Sequence, residues 1–278
     1  MDELEKQLKE DSLAAVHSLR FIDDTLMKVA FRDNIPLAEY VLRIILDDPG
    51  LRVVQSNSEF DLTRPDGGRS VCLDVLAVDE DGTLYDLEIQ RDDRRASPRR
   101  ARYHSAVLDI ESLSKGEDFD SLHESYIIFI TENDCLGKGR LMHRFERLDT
   151  DSGDPFGDGT HILYLNASYS RPGDTSDLAM LMHDFLCRDP DDVYHEIIAQ
   201  NLRNYTQTEK GEKTMCKVVE DVAERYSQRK CDRLQAENAK RMLQHGSSSL
   251  EYVAECLDIP IETVEKIARE MESEQPNL

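Results

Sequence analysis

The sequence predicts an α/β fold, in which a mixed β-sheet core flanked by helices is followed by an all-α C-terminal extension. Three observations lead to this prediction. Apolar runs of strand length are bounded by turn residues, helical spacing of apolar residues separates some of them, and strand signals stop after Thr175. This order of elements alone supports only a mixed α/β domain.

The core elements follow one another closely. Apolar residues at helical spacing predict a helix over about 24–46, which the sequence Asp47-Asp48-Pro49-Gly50 ends. A second core helix is expected over 99–113. The predicted strands are 51–57, 70–78, 83–90, 125–131 and 161–166.

Three parts are expected along the chain: a core with its N-terminal helix over 1–172, a helical extension and spacer over 173–245, and a small helical hairpin over 246–278. The hairpin has the pattern of a helix-turn-helix. Its second helix, however, carries Glu262, Glu265 and Glu270, a face that would repel phosphates. A packing or assembly role is therefore favoured over DNA reading. The incomplete apolar stripe of the spacer predicts a homodimer through the C-terminal helices.

Composition restricts the classes of function. The formal net charge is −23, with 57 acidic and 34 basic residues, which argues against a protein that coats nucleic acid by charge alone. The six cysteines show no CxxC pair, so we expect free thiols in a reducing compartment. No signal sequence and no run long enough to span a bilayer is evident, so a soluble cytoplasmic protein is expected.

The segment from Ser70 to Gln90 carries the most chemistry. It reads as two strands joined by Asp79-Glu80-Asp81-Gly82. Asp74 lies among apolar residues, where burying a lone carboxylate is costly, and the hairpin would bring it beside Glu88. Such a pair of carboxylates suits a hard divalent cation such as Mg²⁺.

The same segment resembles the PD-(D/E)XK nuclease superfamily, in its recombination-promoting nuclease and transposase-like branch. The motifs that carry the resemblance are Leu73-Asp74-Val75 and Glu88-Ile89-Gln90, supported by blocks at 23–31, 99–106, 126–131 and 157–166. The resemblance covers roughly residues 20–230. It implies a restriction-endonuclease-like core and a metal-dependent DNA endonuclease that hydrolyses phosphodiester bonds, linked to recombination, mobile elements or defence. It also implies Mg²⁺ as cofactor, with Mn²⁺ as a possible substitute.

The resemblance assigns site residues. Asp74, Glu88 and the backbone carbonyl of Ile89 would bind the metal, and Asp74, Glu88, Gln90 and Asp24 would form the catalytic set. Gln90 occupies the place of the superfamily lysine, and a neutral amide can only orient water or phosphate. A strand-end amide bonded to a loop is the alternative for Gln90. For Asp24 the alternative is helix N-capping.

Basic residues follow the second motif directly. Among them, the candidates for binding DNA phosphate are Arg91, Arg95, Arg99, Arg100 and Arg102. A solvated helix start would have the same composition, so that reading stays open. Lys28 in the first core helix is a further candidate, for which the alternative is a surface pair with Asp24. His104 could face the site from the same helix, whereas Asp86 is expected at the rim of the pocket or in solvent. A second function also stays open, namely a catalytically weak or inactive nuclease-fold protein acting as a DNA-binding or assembly module.

Overall fold

The chain is described by a computed structural model over residues 3–62, 71–91, 96–244 and 249–274. Its contacts divide it into two compact units, Met1–Cys216 and Lys217–Leu278. The boundary between them falls inside one long helix, α7 (Glu209–Gln244). The boundary predicted between residues 245 and 246 lies outside the described residues.

The first unit is built on a mixed sheet of six strands among the described residues, in the order β1-β2-β3-β4-β6-β5. Strands β1, β2 and β3 pair antiparallel, β3, β4 and β6 pair parallel, and β5 pairs antiparallel with β6 at the edge. The strands are β1 (Val53–Leu62), β2 (Val71–Asp79), β3 (Leu84–Gln90), β4 (Ser125–Thr131), β5 (Met142–Phe145) and β6 (Thr160–Asn166).

Helices precede, connect and follow these strands. They are α1 (Glu3–His17), α2 (Asp24–Phe31), α3 (Ile35–Leu46), α4 (Pro98–Ser112), α5 (Asp177–Leu186) and α6 (Glu196–Thr206), with short 3₁₀ turns at Phe119–Ser121 and Pro190–Asp192. Parallel strands need a crossover connection, and α4 lies in the connection between β3 and β4. The predicted fold class, a mixed sheet with flanking helices and a helical C-terminal region, is confirmed.

The single helix predicted over 24–46 is wrong in one respect, because the chain breaks it into α2 and α3. Asp33 has a positive φ of 54°, a conformation that a helix interior does not contain. Asn34 then caps α3 by accepting a hydrogen bond from the Leu37 amide at 3.3 Å. Pro36 occupies the first turn of α3, where its missing N–H costs no helical hydrogen bond.

The core on one side of the sheet lies under α4. Ala101 and Leu108 of this helix pack with Leu76, Ile127 and Phe129 of the strands, and all five are buried. The start of α4 is set by Ser97, whose side chain accepts a hydrogen bond from the Arg100 amide at 3.3 Å. This cap fixes where the first turn of α4, and with it Arg100, meets the sheet.

The second unit contains the later part of α7 with α8 (Leu250–Leu257) and α9 (Ile261–Glu274). A small core of Ala239, Val253, Val264 and Ile267 joins the three helices. Asp258 ends α8 in the left-handed conformation, with φ of 51°. Among the described helices, none has the length and apolar content that crossing a bilayer requires.

Candidate metal centre

The site lies where the β2–β3 ladder ends. Pairing of the two strands runs to Val75 opposite Leu87. Beyond that point each strand bonds the other through a carboxylate: Glu88 Oε1 accepts the Asp74 amide at 3.1 Å, and Asp74 Oδ2 accepts the Ile89 amide at 3.1 Å. The two predicted carboxylates are therefore side by side and held in fixed orientations by backbone donors.

Both carboxylates are buried, and their environment opposes ionisation. Asp74 is 7% exposed and Glu88 is fully buried. Burial raises the pKa of Asp74, and the neighbouring charge of Asp24 raises it further against the opposing effect of Lys28. Burial, Asp86 and Asp74 raise the pKa of Glu88 to about 9. Without a further cation, the raised pKa values favour the protonated form of these carboxyl groups.

Each of the two carboxylates contacts a different cationic side chain. Lys28 Nζ on α2 lies 3.5 Å from Asp74 Oδ1 and 3.0 Å from Asp24 Oδ1. Arg100 Nη2 on α4 donates to Glu88 Oε2 at 2.6 Å. If fully ionised, the site has a net charge of −2, from the carboxylates Asp24, Asp74, Asp86 and Glu88 and the cations Lys28 and Arg100.

The sequence predicted Asp86 at the rim of the pocket or in solvent. This prediction is wrong, because Asp86 is fully buried. Period two places the side chains of Asp86 and Glu88 on the same face of β3, and α4 covers that face. His104 Nδ1 lies 2.8 Å from Asp86 Oδ2, and Asp86 Oδ1 has no hydrogen-bond partner among the described residues. Burial and the nearby Asp74 raise the pKa of Asp86.

Gln90 and Asp24 are both near the carboxylates. Gln90 is 7% exposed, and its side-chain Nε2 lies 3.5 Å from Glu88 Oε2, on the side of the carboxylates. Asp24 is the first residue of α2, whereas the N-cap position belongs to Asp23. The capping explanation for Asp24 is therefore excluded, and its contact with Lys28 connects it to Asp74.

The predicted arginine candidates separate into different environments. Arg91 joins an ion-pair network, with Nη1 at 3.0 Å from Asp23 and Nε at 3.1 Å from Glu132. Arg20 completes that network through Glu132 at 2.8 Å. Arg99 and Arg102 are exposed on α4. Arg95 lies outside the described residues.

A second group of possible metal ligands, His183, Asp184 and Cys187, is better explained as structural. Asp184 Oδ1 accepts the Tyr194 amide at 2.9 Å, and Oδ2 accepts the His195 amide at 2.9 Å. Burial opposes ionisation, but hydrogen bonds from His195 and Tyr194 hold the pKa of Asp184 below its usual range. Asp184 thus fixes the start of α6, and its oxygens are already bonded.

The first cluster fits a divalent cation. Carboxylate oxygens of Asp86 and Glu88 lie within 4.8 Å of each other, and Asp74 Oδ2 lies beside them at the Ile89 amide. Carboxylate oxygens are the ligands that Mg²⁺ and Mn²⁺ prefer. The net negative charge of the ionised site also favours a cation there.

Comparison with protein families agrees with this geometry. Residues 52–173 match the model of the PD-(D/E)XK nuclease family transposase. Over these residues the chain is similar to that nuclease family. The matched segment contains strands β1 to β6, helix α4 and the carboxylates Asp74 and Glu88. The resemblance identified from the motifs is thereby confirmed over residues 52–173. No curated protein and no solved structure matches the chain.

Sequence reasoning underestimated the contribution of α4 to this site. Arg100 and His104 are four residues apart and therefore share one face of the helix. Asp86 shares a strand face with Glu88 by period two. These two spacings together were a signal that the helix face and the strand face meet, but the position of α4 over the sheet depends on tertiary packing.

Proposed function

We propose that this chain is a metal-dependent DNA endonuclease that hydrolyses phosphodiester bonds. The observation that carries the proposal is the pair of reciprocal hydrogen bonds between the carboxylates of Asp74 and Glu88 and the backbone of the opposite strand. These bonds hold two buried carboxylates together at the open end of the hairpin. The family match supports a nuclease and a link to transposition or recombination.

Asp74 and Glu88 would hold the ion, with the carbonyl of Ile89 as the third ligand that the resemblance implies. Mg²⁺, or Mn²⁺ in its place, would supply an activated water nucleophile and neutralise charge on the scissile phosphate. Gln90, whose amide faces Glu88, would orient water or phosphate by hydrogen bonding. Lys28 and Asp24 would complete the catalytic set at the Asp74 side.

DNA would approach along the exposed face of α4. The strongly negative charge of the chain disfavours broad contact with DNA, so binding must rest on local cations. Arg99 and Arg102 are exposed near the N-terminus of α4, on the helix whose Arg100 contacts Glu88. We therefore assign phosphate binding outside the site to Arg99 and Arg102. Arg91 is committed to Asp23 and Glu132.

The proposal is tested with purified protein, supercoiled plasmid and linear DNA in the presence of Mg²⁺, Mn²⁺ or EDTA. We expect cleavage with either metal and none with EDTA. A matched control is Glu111→Gln, which removes one exposed carboxylate from the far end of α4. Cleavage that persists in EDTA would contradict the proposal. Metal binding without cleavage would favour the alternative of a nuclease-fold binding module. The replacement of the superfamily lysine by Gln90 would then explain the missing activity.

A further inference from the structure

His104 makes one hydrogen bond with each of its ring nitrogens, and the two bonds together define its tautomer. Arg100 Nε donates to His104 Nε2 at 3.1 Å, so Nε2 must offer its lone pair. The ring proton is then on Nδ1, which lies 2.8 Å from Asp86 Oδ2 and donates to it. Asp86, His104 and Arg100 thus form a continuous chain of hydrogen bonds.

This tautomer is incompatible with His104 acting as a metal ligand through Nδ1. Coordination would need the Nδ1 lone pair, and a neutral ring would then carry its proton on Nε2. Two N–H groups, from Nε2 and from Arg100 Nε, would face each other at 3.1 Å. The proximity of His104 to Asp86 and Glu88 therefore does not make it a ligand as long as Arg100 keeps its position.

Arg100 is the side chain that this chain of bonds holds. Its Nε is fixed by His104, its Nη2 donates to Glu88 Oε2 at 2.6 Å, and its Cζ lies 5.9 Å from the centre of the Phe129 ring. A planar guanidinium held at two of its nitrogens keeps one orientation, whereas an ammonium group has no such geometry. Arg100 thus places a positive charge at a fixed position beside Glu88. Glu88 lies two residues before the neutral Gln90 on the same strand.

We propose that His104 and Asp86 are positioning residues, which hold the Arg100 guanidinium against Glu88 so that Arg100 provides the fixed positive charge that Gln90 lacks. This inference rests on the proposed function, because the charge is needed beside a phosphate held at Asp74 and Glu88. Outer partners that orient metal-binding side chains typically affect metal affinity or activity by about 10- to 100-fold. A role for Arg100 only in capturing DNA would not need the two buried partners behind it.

The first test reads the positioning directly and needs no catalysis. In protein labelled with ¹⁵N-histidine and ¹⁵N-arginine, long-range ¹H–¹⁵N spectra should show His104 as the Nδ1–H tautomer, both in EDTA and with Mg²⁺. The Nε–H resonance of Arg100 should be protected from exchange with water, because its hydrogen is bonded to His104. The Nε2–H tautomer, or a change of tautomer when Mg²⁺ is added, would overturn the proposal.

The second test compares substitutions by their effect on kcat for plasmid cleavage. His104→Leu should lower kcat by about 10- to 100-fold. His104→Gln should restore most of the loss, because its amide can donate to Asp86 and accept from Arg100. Arg100→Lys, which keeps the charge but not the planar fork, should lose as much as His104→Leu. The double variant His104→Leu/Arg100→Lys should be no slower than either single one.

These outcomes separate the positioning role from a structural one. If His104→Leu fails to fold because Asp86 is left unpaired, the variant Asp86→Leu/His104→Leu removes both polar partners and tests the same loss. Full activity in His104→Leu or in Arg100→Lys would overturn the proposal. If the wild-type protein cleaves no DNA with either metal, the proposed function fails, while the spectra of His104 and Arg100 still decide whether the positioning exists.

Discussion

The Glu88 carboxylate accepts a hydrogen bond from the backbone amide of Asp74 across the open end of the β2–β3 hairpin. A ladder that continued would have used that amide for a backbone carbonyl. Because the ladder stops at Val75, the strand edges are satisfied by side chains, and two acidic groups are drawn into the core. The local strand geometry thus creates the site, and metal binding would compensate for its charge.

Asp74→Asn and Glu88→Gln should each reduce metal-dependent cleavage to the background level, because each removes one anionic ligand. The fold should persist, since both amide side chains still offer an acceptor for the opposite strand. Thermal unfolding without metal should be unchanged or shifted upwards, because repulsion between buried acids is relieved. Plasmid cleavage and calorimetric unfolding check both expectations. Wild-type cleavage rates in both variants would contradict the assignment of the site.

The metal-free protein should lose stability as the pH rises from 7 to 9. The pKa of Glu88 is raised from 4.5 to about 9, so this group adds stability that is fully present below its unfolded pKa and lost as the pH approaches 9. Burial lowers the pKa of His104 from its ordinary value of 6.5. Its effect on stability therefore falls at lower pH and leaves the change between pH 7 and 9 to the carboxyl groups.

Denaturant unfolding in EDTA at several pH values measures this dependence. The slope for one proton is at most about 1.4 kcal/mol per pH unit. Glu88→Gln should flatten it, and the exposed control Glu111→Gln should not. Mg²⁺ should flatten it as well, because the cation takes over the role of the proton. Stability that increases between pH 7 and 9 would show that the buried carboxylates are not the dominant titrating groups.

Replacing Arg99 and Arg102 together by Ala should weaken DNA binding and lower its salt dependence. Each phosphate contact that is lost reduces the slope of log K against log salt by roughly 0.9. The control Lys115→Ala/Arg188→Ala removes two exposed positive charges elsewhere and should leave the slope unchanged. Fluorescence anisotropy at several salt concentrations measures both. An equal slope in wild type and in the Arg99/Arg102 variant would assign these arginines to a solvated face.

Self-association should depend on the part of α7 that follows Cys216. Val222 and Tyr226 are one turn apart on this helix and are exposed, at 39% and 70%, so a second copy would bury them. Met215 is fully buried, and Glu212 contacts His17 at 2.7 Å, so a shortened chain must keep these residues. A chain ending at Cys216 should be a monomer by light scattering, and the full chain a dimer. A shortened chain that remains dimeric would place the interface within the first unit, Met1–Cys216.

The strands of the site were predictable because their signals are local. Ser125–Thr131 was predicted at its observed limits, and the turn at Asp79-Glu80-Asp81-Gly82 set the hairpin that joins Asp74 to Glu88. The edge strand Met142–Phe145 was missed, since four residues with two polar side chains give little alternation. Short edge strands depend on their neighbour for their conformation.

The charges around the site were less predictable than the carboxylates. Two helices bring the cationic side chains and the histidine to the site: Lys28 comes from α2, and Arg100 and His104 come from α4. The sequence of a helix does not predict where that helix packs on the sheet. Asp86 shows the same difficulty: its alternation with Glu88 was clear, but its burial follows from α4 lying over that face. A lone acidic residue is expected in solvent, and only the tertiary contact with His104 explains its position.

Binding of Mn²⁺ measured by isothermal titration calorimetry tests the central claim most directly, namely that Asp74 and Glu88 together hold a divalent cation. We expect saturable binding by the wild-type chain and by the control Glu111→Gln, and competition by Mg²⁺. Asp74→Asn and Glu88→Gln should each show no saturable heat over the same concentrations while remaining folded. Undiminished Mn²⁺ binding in both of these variants would contradict the account.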